Sequence, residues 1–164
     1  MVVNSDAAMP PGTAFLLRPA RPDEAGILTG LCLRSKAMWG YDDAFMAACR
    51  DALTLTPDRL CASRVRVAVM DGQVVGVAEI GIDGETCELA KLFIEPRAAG
   101  TGVGRALFDW AVRAARNAGA RVIDIVSDPN AAGFYRRMGA VEDGVVPSEA
   151  IPGRVLPRFR LALA

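Results

Sequence analysis

The stretch Leu92-Phe93-Ile94-Glu95-Pro96-Arg97-Ala98-Ala99-Gly100-Thr101-Gly102-Val103-Gly104-Arg105-Ala106-Leu107 decides the reading of this chain. It opens on an apolar run that fits a strand, and Pro96 stops that strand. Three glycines at alternate positions follow, and GRALFDWAVRAARNAG then carries Leu107, Trp110, Ala111 and Ala114 on one helical face, with Gly119 as its stop. Lacking Cβ atoms, Gly100, Gly102 and Gly104 can turn successive backbone N–H groups into one concavity. The positive end of the helix adds to it, and the combination is suited to a pyrophosphate. Thr101 is a candidate hydroxyl donor and Arg105 a candidate cation. Two familiar phosphate motifs fit poorly. The spacing is G-x-G-x-G rather than G-x-G-x-x-G, and Gly104 is followed by Arg105-Ala106 rather than Lys-Ser/Thr. A glycine-rich turn without a ligand is the competing reading.

Outward from this stretch, three strand-like runs precede it. VRVAVM (65–70), VVGVAEIGI and TCELAKLFIE are separated by Asp71-Gly72 and Asp83-Gly84, so 65–95 reads as an antiparallel meander. Upstream, TAFLLR (13–18) reads as a strand, and Pro22-Asp23-Glu24 opens a helix. Met38-Trp39-Gly40-Tyr41 interrupts it, Asp42 or Asp43 caps a second helix, and Thr56-Pro57-Asp58 ends that one. Downstream, ARVIDIVS is a buried strand, Asp128-Pro129 starts a short helix, and AVEDGVV and RVLPRFRLAL complete the sheet. The order is β, α, α, β, β, β, α, β, α, β, β, which predicts a mixed α/β sheet with helices on both faces. Residues 1–12 read as a flexible tail and 13–164 as one domain.

Composition narrows the chemistry. The chain has 164 residues, 52% of them hydrophobic, and equal numbers of acidic and basic groups. That excludes a disordered chain and argues against a nucleic-acid partner, which calls for a large positive excess. There is no histidine, so imidazole catalysis and His-ligated zinc are ruled out. Lysine occurs only at Lys36 and Lys91. Cys32, Cys49, Cys61 and Cys87 form no CxxC pair and read as reduced, mostly buried thiols. No apolar run is long enough for a membrane span, and no signal peptide is evident. A cytoplasmic location without a membrane or metal partner is the expectation.

A second motif lies about thirty residues after the glycines: Asn130-Ala-Ala-Gly-Phe134-Tyr135-Arg-Arg-Met138-Gly139-Ala140. Pro96, three residues and G-x-G-x-G, followed by N-x-x-x-F-Y-x-x-x-G, resemble motifs A and B of the GNAT superfamily of acetyl-coenzyme A dependent N-acetyltransferases, in the right order and on the right elements from residue 13 onward. The resemblance implies a mostly antiparallel sheet of six to seven strands. It also implies a splayed parallel pair at the centre of that sheet and about four helices. One position departs from the family: Ala99 stands where Arg or Gln is common, with Arg97 or Arg105 as substitutes for the missing charge.

The resemblance also implies roles. Phe93 and Ile94 would pair through their backbones with the pantetheine arm. Ala99, Gly100, Thr101, Gly102, Val103, Gly104 and Arg105 would surround the pyrophosphate, and Asn130, Phe134 and Tyr135 would border the arm. Tyr135 would protonate the leaving thiolate. Glu88, six residues before Ile94 and of equal strand parity unless a bulge intervenes, and Glu79 on the preceding strand are alternative general bases. At the junction of the first two helices, Trp39 and Tyr41 read equally as the wall of an acceptor pocket or as a staple between those helices, and Arg154, on a C-terminal segment placed to form a lid, is a candidate binder of an acceptor carboxylate. Acetyl-CoA is then the cosubstrate, a small-molecule or peptide amine the acceptor, and a homodimer is plausible for the family. A noncatalytic acyl-CoA-binding or interaction domain and a different nucleotide-binding enzyme are the alternatives.

Overall fold

The computed structural model describes residues 14–164. The Asp-Gly pair at 71–72 takes positive φ at both residues, 52° and 74°. That backbone twist matches two paired strands, so it joins β2 (Arg64–Met70) to β3 (Gln73–Asp83) as a tight hairpin. Gly84, at φ 57°, closes the second turn into β4 (Thr86–Ile94). The expected meander is therefore present. β1 (Leu16–Pro19) adds antiparallel to β2. β5 (Val122–Val126) runs parallel to β4, and β6 (Val141–Pro147) and β7 (Val155–Ala162) finish a seven-stranded sheet in the order β1-β2-β3-β4-β5-β7-β6. This is the mixed, mostly antiparallel sheet expected from the sequence. The tail expectation for 1–12 lies outside the described residues.

Five α-helices cover the sheet. On one face α1 (Ala25–Ala37), α2 (Asp43–Leu53) and α3 (Pro57–Ala62) bury Leu28, Leu31, Cys32, Leu53 and Leu60 against Val65, Val67 and Val77. On the other, α4 (Val103–Asn117) and α5 (Ala132–Arg137) bury Leu107, Phe108 and Ala111 against Ala78, Ile80 and Ile123. The α3 helix corrects the sequence reading. Thr56-Pro57 both stops α2 and starts a new helix, because the Thr56 hydroxyl accepts from the Arg59 amide at 3.2 Å and Pro57 occupies the first turn.

Two irregularities shape the centre of the sheet. First, Glu79 lies opposite Lys91 but Ile80 lies opposite Leu89, so Ala90 is an extra residue, a β-bulge in β4. Second, β4 and β5 share only three residue pairs, Thr86 with Val122, Cys87 with Ile123 and Glu88 with Asp124. Beyond them β5 stays bonded to β7 as far as Val126, while β4 continues to Ile94 bonded to β3 on its other side. The two strands part, and the β5-facing edge of residues 89–94 has no ladder partner.

Candidate active site

The gap opens toward the glycine segment. Pro96–Ala98 forms a single 3-10 turn at the end of β4. Gly100 and Gly102 then take left-handed backbone, φ 77° and 89°, with nothing within 4 Å of where a Cβ would stand. An L side chain strains that conformation, so these two positions require glycine. The first bond of α4 runs from the Ala106 amide to the Gly102 carbonyl at 3.0 Å. Among the described residues, the amides of Gly100, Gly102, Val103, Gly104 and Arg105 have no acceptor. Such orphan donors at the positive end of a fifteen-residue helix form a ready anion cradle.

The side chains nearby are less helpful than the sequence suggested. Thr101 is buried, its hydroxyl donating to the Ala98 carbonyl and its amide bonding the same oxygen, so it braces the loop from within rather than facing a ligand. Arg97 donates to Gln73 at 2.6 Å. Ala99 and Arg105 are exposed. Val103 is fully buried, and it anchors the first turn of α4 over Gly76. Gly104 faces the gap: a Cβ there would lie 3.5 Å from Phe134 and 3.7 Å from Ile94. The glycine loop, the end of β4 and the α5 motif thus converge.

Tyr135 lies beside this junction, 7% exposed, among Phe108, Phe134 and Phe159 with ring centroids 5.2–6.1 Å away. Its hydroxyl has no hydrogen-bond partner among the described residues, and burial pushes its pKa up. The phenol therefore holds its proton throughout the neutral range.

The two candidate glutamates occupy different environments. Glu79 is 2% exposed, and both its oxygens are taken: Arg59 Nε reaches Oε1 at 2.6 Å and Lys91 Nζ reaches Oε2 at 3.2 Å. Glu88 is exposed, has no salt bridge among the described residues, and lines an open cleft of about 490 Å³ with Gly81, Thr86, Asp124 and Arg158. The parity argument for Glu88 is corrected by the Ala90 bulge. Leu89 and Leu92 face the α4 side together, so Glu88 shares its face with Lys91 and Phe93 and not with Ile94.

The opposite wall assembles residues far apart in the chain. Asp128 Oδ2 accepts from Lys36 Nζ at 3.0 Å and from the Tyr41 hydroxyl at 2.8 Å. The Tyr41 oxygen accepts in turn from Arg154 at 2.8 Å and from the Asn130 side chain at 3.1 Å. Tyr41 stacks on Phe45 at 4.0 Å, and the Arg154 guanidinium lies over both rings. Burial acts to raise the Asp128 carboxyl, but the Asn130 amide, Lys36 and Tyr41 outweigh it and hold the group below the usual carboxylate value. Burial and the Asp128 bond push the Tyr41 phenol up. Tyr41, Asn130 and Arg154, selected from sequence for different reasons, meet here. Asn130 spends its side chain on this cluster. Trp39 is 42% exposed and takes no part. Lys36, Asp128 and Phe45 escaped the sequence reading. The rarity of lysine, with Lys36 one of only two in the sequence, was the available signal.

The parted strands, the glycine loop and the aromatic motif stand in the order of one known family, whose profile, the acetyltransferase (GNAT) family, matches residues 33–140. The chain belongs to the GNAT family. A curated relative, an uncharacterised N-acetyltransferase of Methanocaldococcus jannaschii, is 34% identical over 65 residues, 38% of this chain and 29% of that protein. The chain thus spans less than a third of that relative's length. Among solved structures, a GCN5-related N-acetyltransferase from Rhodopseudomonas palustris superposes with a TM-score of 0.75 at 22% identity, covering 90% of this chain and 95% of that one. The structure of YncA from Salmonella typhimurium with its cofactor acetyl-CoA gives 0.64 at 23% identity over 92% and 95%. At these identities the two structures show that the GNAT fold is shared. Among the described residues, no helix is long and apolar enough to cross a membrane.

Proposed function

We propose that this chain transfers the acetyl group of acetyl-CoA to a primary amine, directly, with both substrates bound together. One observation carries the reading. The unladdered edge of β4, residues 89–94, leads to a glycine loop and helix start where the amides of Gly100, Gly102, Val103, Gly104 and Arg105 have no acceptor among the described residues. An extended chain carrying amides and a diphosphate fits those two features together: the strand edge supplies backbone donors and acceptors, and the helix start supplies donors to the anion. When bound, acetyl-CoA supplies an activated thioester.

The protein's own groups then divide the work. The amides of Gly100, Gly102, Val103, Gly104 and Arg105 hold the anion. The Phe93 and Ile94 backbone aligns the arm, and Phe134 and Asn130 border it. Tyr135, kept protonated by burial, gives a proton to the departing thiolate. An alkylammonium has a pKa near ~10, so the acceptor must lose a proton before it attacks. Glu88 takes this role, through water, because it is open to solvent where the strands part. Glu79 has both oxygens bound to cations and serves the core. Burial raises the Cys32 thiol to about 12 and the Cys87 thiol to about 11, which makes both poor nucleophiles and favours direct transfer over an acetyl-cysteine route.

Calorimetric titration with acetyl-CoA, NAD and ATP, followed by thiol release across a broad amine library, tests this. Heat with acetyl-CoA and amine-dependent thiol release are expected. Heat with NAD or ATP and none with acetyl-CoA would refute the reading. Tight acetyl-CoA binding without turnover of any amine would reduce the chain to a binding module.

A further inference from the structure

Arg154 and Lys36 have more donors than their surroundings accept. A guanidinium carries five N–H donors and an ammonium three. Arg154 spends one on Tyr41, and Lys36 spends one on Asp128. Their side chains are nevertheless only 20% and 13% exposed. The carboxylate they share has little left to offer. Asp128 Oδ2 already accepts Lys36 and Tyr41, its Oδ1 accepts the Asn130 amide at 2.8 Å and the Asn130 side chain at 2.9 Å, and Arg154 stands off at 3.7 Å. Other arginines of this chain are paired differently. Arg34 grips Glu95 with two nitrogens at 2.7 and 3.0 Å, and Arg158 grips Asp124 at 2.8 and 2.9 Å. Among the described residues Arg154 has no such fork of its own, and their cluster of two cations and one carboxylate carries one excess positive charge.

From this we infer that Arg154 and Lys36 form a receptor for a carboxylate on the acceptor, so that the substrate class is a small amine bearing a carboxylate group. The inference rests on the acetyl-transfer reading above and names the acceptor for it. One monoanion balances the cluster, and the planar fork of Arg154 matches a carboxylate in shape. Its presentation is rigid. The Ser148 amide bonds the Arg154 carbonyl at 2.8 Å, the Arg154 amide bonds the Ile151 carbonyl at 3.2 Å, and the guanidinium rests on Tyr41 and Phe45. Tyr41 and Asp128 are positioning residues that hold the two cations side by side.

The test uses the full chain with saturating acetyl-CoA and follows thiol release. Twenty α-amino acids, β-alanine and γ-aminobutyrate are each paired with their own primary amide. The amide member has the less basic amine, which biases the comparison against the expected result. At least one pair should favour the carboxylate about tenfold or more in kcat/KM, and Arg154→Met should remove that preference by raising the acceptor KM about 10- to 100-fold. Arg154→Lys, which keeps charge and loses the fork, should fall between. Acetyl-CoA affinity, measured by calorimetry, should not change. Equal or reversed preference in every pair overturns the inference. So does a wild-type enzyme that turns over other amines but none of these acids, or an Arg154→Met defect explained by weaker acetyl-CoA binding. Should Arg154→Met fail to fold by melting and circular dichroism, the wild-type pairs and Arg154→Lys decide alone. Failure of the underlying reading shows separately, as no acetyl-CoA heat at all.

Discussion

Gly76 sits on β3 directly beneath the start of α4, and adding one methyl there tests whether the anion cradle is set by packing. A Cβ at Gly76 would stand 2.8 Å from Val103 Cγ1, 2.9 Å from Leu107 Cδ1 and 3.2 Å from Ile94 Cδ1. Carbon contacts settle near ~3.5–4.0 Å, so the closest pair is short by roughly 0.7–1.2 Å. The Leu107 and Ile94 methyls end flexible side chains and can rotate aside. Val103 is fully buried and branched at Cβ on a helix, where one rotamer dominates. The first turn of α4 must therefore rise. Overpacking of this kind costs about 1–3 kcal/mol, which for a chain of this length is a Tm lower by about 3–10 °C. The same displacement moves the Val103 and Gly104 amides, so Gly76→Ala should also weaken acetyl-CoA binding about tenfold or more. Scanning calorimetry and isothermal titration measure the two effects. Adding Val103→Ala makes room, so the double variant should bind acetyl-CoA better than Gly76→Ala alone, with a coupling of about 0.5–3 kcal/mol. A Gly76→Ala protein that melts and binds like wild type would refute the reasoning.

Other expectations follow from the same geometry. Tyr135→Phe should lower kcat by about 10²-fold with little change in Tm, because its hydroxyl has no hydrogen bond to lose among the described residues; an unchanged rate removes Tyr135 from the reaction. Glu88→Gln should lower kcat/KM for the amine about 10²-fold at neutral pH, and an unchanged value takes the base role from Glu88. Glu79→Ala should destabilise by about 3–5 kcal/mol in urea, since it leaves the Lys91 cation buried without its partner; a loss below 1 kcal/mol would show that the core tolerates Lys91 alone. Stability should fall in acid. The Arg18 bond holds the Glu24 carboxyl low and the Arg158 bond holds that of Asp124 low, while at Asp128 the Asn130 amide and Lys36 overcome burial to do the same. Folded pKa values below the unfolded ~3.9–4.3 give stability that is complete above those values and lost as pH falls through the folded ones. Urea midpoints that stay flat from pH 5 to pH 3 would contradict this, and Asp124→Asn should reduce the slope.

The strands, the two hairpins and the α4 helix were legible because local chemistry dictates them: Asp71-Gly72 and Asp83-Gly84 turn the chain whatever surrounds them. The glycine loop was legible for the same reason, since left-handed backbone at Gly100 and Gly102 calls for glycine. Thr101 was misread because a hydroxyl that braces its own loop looks the same in sequence as one offered to a ligand. A bulge in this strand was allowed for but not located, because only the pairing of Lys91 with Glu79 and of Leu89 with Ile80 singles out Ala90 as the extra residue. Lys91 is buried only because Glu79 stands across the ladder from it, a partner set by register. The Asp128 cluster joins positions 87 to 113 residues apart, and nothing local in Asp128-Pro129 distinguishes a helix cap from the hub of that network.

Three residue pairs between β4 and β5 make the sheet, mechanically, two plates joined by a short seam, with a common core beneath. One plate carries the anion cradle and Glu88, and the other leads into Asp128 and carries Arg154 at its margin. On the acetyl-transfer reading, a guest laid along the open edge would lengthen the seam and stiffen the joint between the plates, and amide hydrogen exchange along residues 89–94 with and without acetyl-CoA would report it.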